Sequence, residues 1–193
     1  MLVHAYNQEN DMRWVAGEVR PERVGFGASE RAHFIPTDTS GGVCFALSAY
    51  WIIKKANGAD FWAWLPGPGA HVKDIKDLMR AQKAGAEHDY SRFELLKTTI
   101  TGASQLAQQS MALMDSGQFE HAGYYYISIT GKKNGKAWGH GIAAHVVAGE
   151  CRYFDPNKGE YKCDSRDVCL GELSTLVRGY ALKSTKVYHC CFA

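Results

Sequence analysis

The apolar and polar positions divide the chain into a helical first half and a strand-rich second half. After Cys44, apolar residues recur at three- and four-residue spacing, which predicts an amphipathic helix over 39–56. The same spacing across 71–116 predicts two or three further helices. From Ala122 the pattern becomes β-branched and aromatic, which is typical of strands. The strands are predicted at 124–130, 140–147, 151–154, 160–163 and 186–192, with a helix at 171–181 before the last of them. Helices followed by adjacent antiparallel strands predict the α+β class.

The domain organisation follows from length, composition and charge. Residues 1–36 carry scattered charge and weak periodicity, and we expect an N-terminal arm with one short strand or helix. Residues 37–193 are expected to form one domain, because 46% hydrophobic residues can build a single core. A net charge of +2 does not favour nucleic acid or an acidic membrane as a partner.

Export and membrane insertion leave no standard signature in the sequence. No apolar run approaches the ~18 residues of a membrane helix. The first residues, 1–7, lack the positive segment and the apolar core of a secretory signal. If the protein is exported, we therefore expect a specialised, non-classical route.

The cysteines could form disulfides, hold a structural metal or remain free thiols. A domain of this size does not need disulfides for stability, and no pair has the two-residue gap of a zinc knuckle. We expect mostly free thiols packed as small hydrophobic residues, with no metal and no cofactor. The six are Cys44, Cys151, Cys163, Cys169, Cys190 and Cys191.

Cys44 has the local setting of a reactive thiol. Gly41 and Gly42 keep side chains away from it, and Thr39 or Ser40 is expected to cap the helix. In the first helical turn the helix dipole favours an anion, which lowers a thiol pKa from its usual ~8.5. The alternative interpretation is a buried structural cysteine at a helix start.

A nucleophilic cysteine needs a base, and the base needs a group that orients it. His140 lies between two glycines at a predicted strand start, and Asp155 follows the next strand. If the turn at 148–149 contains two residues, His140 and Asp155 share one face of the hairpin while His145 pairs with Arg152. This parity favours His140 over His145, and a turn one residue longer or shorter would reverse the choice.

Three segments share their order and approximate separation with a known family. They are Gly-Gly-Val-Cys-Phe-Ala-Leu-Ser at 41–48, followed by Trp51, then Gly-His-Gly-Ile-Ala-Ala at 139–144, then Tyr-Phe-Asp-Pro-Asn-Lys-Gly-Glu at 153–160. Together they resemble the YopT and AvrPphB type of bacterial effector cysteine protease. The resemblance implies a papain-like fold in which the cysteine helix packs on an antiparallel sheet. By motif position it implies Cys44 as nucleophile, His140 as general base and Asp155 as orienting acid.

The resemblance also implies a side-chain amide upstream of the cysteine that stabilises the oxyanion. Asp38, Thr39 and Ser40 occupy that region, and none of them is Asn or Gln. An ionised Asp38 would oppose the developing charge. We therefore expect the backbone amide of Cys44 as one donor and the hydroxyl of Thr39 or Ser40 as the other.

Three functional hypotheses follow. The first is a cysteine endopeptidase that acts as an effector or toxin on proteins in another cell, with an inhibitor or immunity protein as a further candidate partner. Some members of the family process their own N-terminus, for which 1–36 could hold the site. The second uses the same triad for deamidation or acyl transfer at a glutamine side chain, which motifs cannot distinguish from proteolysis. The third is a catalytically silent papain-like binding module.

Substrate contacts are expected at two places beside this site. One is the aromatic loop at 61–69, whose tryptophans are more simply explained by packing over the core. The other is the helical region at 71–116.

Overall fold

The computed structural model describes residues 1–8, 43–65, 82, 100–109, 119, 121–133, 135–180 and 182–192. Its elements are β1 (Leu2–His4), α1 (Cys44–Ala56), α2 (Phe61–Trp64), β2 (Ile100–Gln109), β3 (Gly123–Lys133), β4 (Lys136–Val147), β5 (Glu150–Asp155), β6 (Gly159–Cys163), α3 (Arg166–Arg178) and β7 (Leu182–Phe192). This mixture of helices with an antiparallel sheet confirms the predicted α+β class.

In the described residues, seven strands form one sheet in the order β1-β6-β5-β4-β3-β7-β2. Every neighbouring pair is antiparallel. Strands β3 to β6 follow one another along the chain as hairpins. The first strand closes one edge of the sheet, so part of the predicted N-terminal arm belongs to the folded domain.

The hairpin between β4 and β5 has the predicted register. Its turn contains two residues, Ala148 and Gly149, and Gly149 adopts φ +81°, which glycine tolerates without strain. His145 therefore pairs with Arg152, as expected from the turn length. This register decides which histidine can reach Asp155.

The sheet separates two hydrophobic cores because alternate strand residues point to opposite faces. On one face α1 and α2 pack over the strands, and the cluster includes Trp51, Phe61, Tyr126, Ala143, Phe154 and Tyr188. On the other face α3 packs over the neighbouring positions, and the cluster includes Tyr125, Ile127, Ile142, Ala144, Tyr153 and Leu173. Helix α1 is therefore held against the strands that carry the candidate base and acid.

A buried carboxylate anchors α1 to the sheet. Glu160, which is 1% exposed, accepts hydrogen bonds from the indole Nε1 atoms of Trp51 (3.1 Å) and Trp62 (2.7 Å). Its other oxygen pairs with Lys55 Nζ at 2.9 Å and Arg152 Nη1 at 3.2 Å. Trp62 and Trp64 thus pack against the core, as expected from the sequence, although the start of the predicted aromatic loop forms helix α2.

The structure corrects three element predictions. The helical region proposed for 71–116 contains a strand, because Ile100–Gln109 pairs with β7. Helix α1 begins at Cys44 rather than at 39, and α3 begins at Arg166, where the Ser165 hydroxyl caps it by accepting from Val168 N at 3.3 Å. Most of 71–99, the whole of 110–116 and residues 66–69 lie outside the described residues.

Among the helices that the structure describes, none combines the length and apolar character needed to cross a membrane.

Candidate active site

Cys44 is the first residue of α1, so its backbone amide lies outside the hydrogen-bond ladder of the helix, at the end where the helix dipole favours an anion. The N-cap residue is Val43, whose side chain makes no capping hydrogen bond. Instead, the side-chain Oε1 of Gln82 accepts from the backbone amide of Ala46 at 3.1 Å. A residue distant in sequence therefore caps this amide, while Thr39 and Ser40, from which a cap was predicted, lie outside the described residues.

The start of α1 is fixed against β4 beside His140. Ser48 Oγ donates a hydrogen bond to the carbonyl of Gly141 at 3.0 Å, and both groups are buried. A Cβ at position 141 would lie 2.7 Å from the Tyr126 hydroxyl, so glycine is required for this close approach. The glycine that follows the histidine thus leaves room for the Tyr126 side chain, whose ring packs against Phe45 of α1.

The structure brings His140 and Asp155 into direct contact. Their Nε2 and Oδ1 atoms lie 2.8 Å apart, and the two residues are 5% and 0% exposed. His140 also forms a side-chain hydrogen bond with Cys44. Because Nε2 is engaged by Asp155, Nδ1 is the ring nitrogen left to face the sulfur. The three residues predicted from the sequence therefore form one connected constellation.

Three donors among the residues that the structure describes hold the carboxylate of Asp155. Besides His140, the backbone amide of Asn157 donates to Oδ1 at 2.8 Å, and the Tyr180 hydroxyl donates to Oδ2 at 2.7 Å. Tyr180 also places its ring beside the imidazole of His140, with the ring centroids 4.7 Å apart. Tyr180 thus fixes the acid and covers the base, a role that the sequence did not indicate.

The electrostatics of the site favour a thiolate beside an imidazolium. Burial raises the pKa of Cys44, but the hydrogen bond and charge of His140 and the backbone amides of Gly141 and Phe45 outweigh it, so the pKa is lowered. Burial lowers the pKa of His140, but Asp155 and the Cys44 sulfur raise it to about 9. For Asp155, burial raises the pKa, whereas His140, Asn157 and Tyr180 lower it below its ordinary value. Each charge in the site is stabilised by a partner.

The second histidine candidate, His145, lies elsewhere. Its ring stacks on that of Tyr124, with centroids 4.1 Å apart, and it pairs across the sheet with Arg152. Burial and the nearby cations Lys55 and Arg152 lower the pKa of this imidazole. His145 does not contact Asp155 or Cys44, so its position agrees with the parity argument.

The five cysteines whose side chains the structure describes are free thiols, as predicted. Cys151, Cys163 and Cys169 lie together between the sheet and α3, and burial raises the pKa of all three thiols. In the described part of the chain, no three His, Cys, Asp or Glu side chains are arranged to hold a metal ion.

The sequence-predicted oxyanion candidates Thr39 and Ser40, with Asp38, lie outside the described residues. Gln82 and Tyr180 were missed because each reaches the site from a distant part of the chain. Neither residue lies in a motif, and only the folded arrangement reveals them.

Residues 6–8 of the predicted N-terminal arm lie beside the turn that follows Asp155. The backbone amide of Gln8 donates to the Pro156 carbonyl at 2.7 Å, and Asn7 Nδ2 donates to the carbonyl of Asn157 at 3.2 Å. Gln8 Nε2 donates to Asn157 Oδ1 at 2.7 Å. This segment of the arm therefore contacts the acid-bearing loop directly.

Comparison with known proteins shows two similarities in sequence. The sequence model of peptidase family C58, the Yersinia/Haemophilus virulence surface antigens, matches residues 69–169, which include His140 and Asp155 but begin after Cys44. The cysteine protease yopT1 of Yersinia enterocolitica is 28% identical, and the match covers 68% of this chain and 48% of that protease. The chain thus spans about half the length of this curated relative.

Among solved structures, the Pseudomonas avirulence protein AvrPphB is a match to this chain. The similarity covers 77% of this chain and 90% of that structure, with a TM-score of 0.49 and 14% sequence identity.

Proposed function

Because this chain belongs to peptidase family C58, the Yersinia/Haemophilus virulence surface antigens, we propose that it is a cysteine endopeptidase that uses Cys44, His140 and Asp155. The family confirms the resemblance to the YopT and AvrPphB type that the motifs indicated. The observation that carries the proposal is the contact of a buried cysteine at a helix start with a histidine that a buried carboxylate orients.

The first chemical step is attack of the Cys44 thiolate on the carbonyl carbon of a peptide bond. The carbon–sulfur bond forms as the carbonyl π electrons move to oxygen, which gives a tetrahedral oxyanion. The oxyanion collapses, the carbon–nitrogen bond breaks, and the imidazolium of His140 gives its proton to the leaving amine. The product is a thioester between Cys44 and the acyl half of the substrate.

Hydrolysis of the thioester regenerates the enzyme. Neutral His140 accepts a proton from a water molecule as the water attacks the thioester carbonyl. The carbon–sulfur bond breaks, and the thiolate–imidazolium pair forms again. Asp155 keeps the Nε2 proton of His140 in place, so that Nδ1 remains directed at the sulfur throughout.

The oxyanion requires hydrogen-bond donors at the helix start. The backbone amide of Cys44 is the natural first donor, because it is the first amide of α1. We assign the second role to the hydroxyl of Thr39 or Ser40, which precede the nucleophile in sequence.

The proposed biological role is that of a virulence effector whose substrates are proteins of another cell. The description of the family as virulence antigens and the similarity to a Yersinia cysteine protease support this role. Delivery by a specialised secretion route follows as part of the same proposal. Residues 9–36 are where self-processing would be sought.

A cell lysate tests the activity because it offers many candidate protein substrates at once. Purified protein and its Cys44→Ala variant are incubated with a eukaryotic cell lysate, and new protein N-termini are identified by mass spectrometry. We expect a small set of N-termini that appears with the wild type alone. If Cys44 is reactive but no new N-termini form, the same triad performs deamidation or acyl transfer instead.

A further inference from the structure

A chain of hydrogen bonds runs from residue 8 to the catalytic acid. Gln8 Nε2 donates to Asn157 Oδ1 at 2.7 Å, and Asn157 Nδ2 donates to the Tyr180 hydroxyl at 3.2 Å. Tyr180 in turn donates to Asp155 Oδ2 at 2.7 Å, and Asp155 Oδ1 holds His140 Nε2 at 2.8 Å. The chain therefore ends at the imidazole that contacts Cys44.

The three bonds from Gln8 to Asp155 all donate in the same direction, and His140 donates to Asp155 from the other side. The amide of Gln8 donates to the oxygen of Asn157, which leaves the Asn157 amide nitrogen to donate to Tyr180. The tyrosine oxygen accepts that bond, so its own proton is directed at Asp155. Since each bond orients the next group, the position of the Gln8 side chain affects the orientation of the Asp155 carboxylate.

The burial of Gln8 indicates that it is held at this place by its contacts. Its side chain belongs to a residue only 8% exposed, and its Oε1 atom has no hydrogen-bond partner among the described residues. Burying an amide with one unsatisfied atom costs free energy. The bond from Nε2 to Asn157 and the backbone bond to Pro156 are the contacts that offset this cost.

We propose that Gln8, Asn157 and Tyr180 are positioning residues that hold Asp155 in the orientation needed for the His140–Cys44 pair. The N-terminal segment at 6–8 therefore contributes to the geometry of the active site. This inference rests on the proposed function, because it concerns the same three catalytic groups. It goes beyond that function by adding a second set of residues that act through Asp155.

The test is the pH dependence of Cys44 alkylation by iodoacetamide, followed on the Cys44 peptide by mass spectrometry. The variants are Tyr180→Phe, which keeps the ring beside His140, Gln8→Leu, and the double variant. Tyr153→Phe is the matched control, because the Tyr153 hydroxyl donates to a different carboxylate, Glu172 Oε2, at 2.9 Å. Circular dichroism verifies that each variant is folded.

When Asp155 loses the hydrogen bond from Tyr180, it stabilises the imidazolium of His140 less well. The Cys44 thiolate then loses part of its counter-charge. The acid limb of the Cys44 profile should therefore move to higher pH by roughly 0.5–1 pH unit in Tyr180→Phe. At pH 6 the alkylation rate should fall about three- to tenfold in Tyr180→Phe and about twofold in Gln8→Leu. Tyr153→Phe should match the wild type.

The double variant separates a chain from two independent effects. Because Gln8 acts through Tyr180, adding Gln8→Leu to Tyr180→Phe should change the profile no further. Wild-type-like profiles in both single variants, or additive effects in the double variant, would overturn this inference alone. A wild-type Cys44 that titrates as an ordinary thiol would contradict the proposed function and this inference with it.

Discussion

Two groups of cysteines in this protein are both buried yet have opposite chemistry. Cys44 lies at the start of α1, where the His140 charge and two backbone amides outweigh burial and lower its thiol pKa. Cys151, Cys163 and Cys169 lie between the sheet and α3, where burial raises the pKa of each. Burial alone makes a thiol inert, and only directed donors and a cation reverse its effect.

The two histidines of β4 repeat the same contrast. Burial lowers the pKa of both imidazoles, but His140 gains Asp155 and the Cys44 sulfur, which raise its pKa to about 9. His145 gains nearby cations instead, and its pKa stays lowered. The charged and hydrogen-bonded partners of a histidine, more than its burial, therefore distinguish the candidate active site on this strand.

The largest expected effect distinguishes the two groups of cysteines. Cys44→Ala should reduce proteolysis by at least about 10³-fold, because no other group can form the acyl-enzyme. Cys169→Ala should leave proteolysis within about twofold of wild type, because Cys169 takes no part in the step, and cost about 1 kcal/mol of unfolding free energy. Cleavage assays and urea unfolding measure these quantities. Full activity in Cys44→Ala would show that Cys44 is not the nucleophile.

The histidine pair should show a similarly large difference. His140→Ala should lower the rate of cleavage by about 10²–10⁴-fold, since it removes the acid and base of both steps. His145→Ala should leave the rate close to wild type, because the Tyr124 stacking that it loses lies outside the triad. The opposite outcome, with His145 essential and His140 dispensable, would show that the wrong histidine has been assigned.

Glu160 extends the comparison to a buried carboxylate. Burial raises its pKa, but Lys55 and the two tryptophan indoles lower it, so it is an anion held by partners. Glu160→Gln should reduce the free energy of unfolding by about 3 kcal/mol, because Lys55 and Arg152 lose their counter-charge. Urea unfolding at neutral pH provides the measurement. A cost below about 1 kcal/mol would mean that these contacts are too solvated to matter.

A change of pH should have a smaller effect on the rate of cleavage and on stability, with a defined direction for each. Activity should rise with pH through the lowered pKa of Cys44 and fall as His140 loses its proton near pH 9. The His140 pKa is raised above its unfolded value of 6.5, so its contribution to stability is complete below pH 6.5 and is lost as pH rises through about 9. Initial rates from about pH 4 to 10 test the trend in activity, and thermal unfolding over the same range tests the trend in stability. A rate that still rises above pH 9 would contradict the ion pair between the Cys44 thiolate and the His140 imidazolium.

The sequence predicted the structure correctly where interactions between residues close in the chain determine it. The two-residue turn at 148–149 determines the register of β4 with β5, and this register places His140 rather than His145 beside Asp155. The Asn57–Gly58 pair ends α1 as expected, with Gly58 at φ +65°. In these places the hydrophobic pattern and the turn residues leave few alternatives.

Long-range contacts explain what sequence reasoning missed. The segment at 100–109 contains alanine, leucine and glutamine, which favour helix, yet its pairing with β7 makes it a strand. Gln82 caps α1, and Tyr180 reaches Asp155 from the end of α3. No local pattern encodes such contacts, because they depend on how distant elements pack together.

The most direct test of the account compares Cys44 with Cys169 inside one intact wild-type molecule. Folded protein is treated briefly with iodoacetamide between about pH 5 and 9, and the label on each cysteine peptide is measured by mass spectrometry. We expect Cys44 to be labelled already near pH ~6, while Cys169 stays unlabelled until the protein is unfolded. Labelling of Cys44 that follows an ordinary thiol, with a midpoint near pH ~8.5, would contradict the central claim.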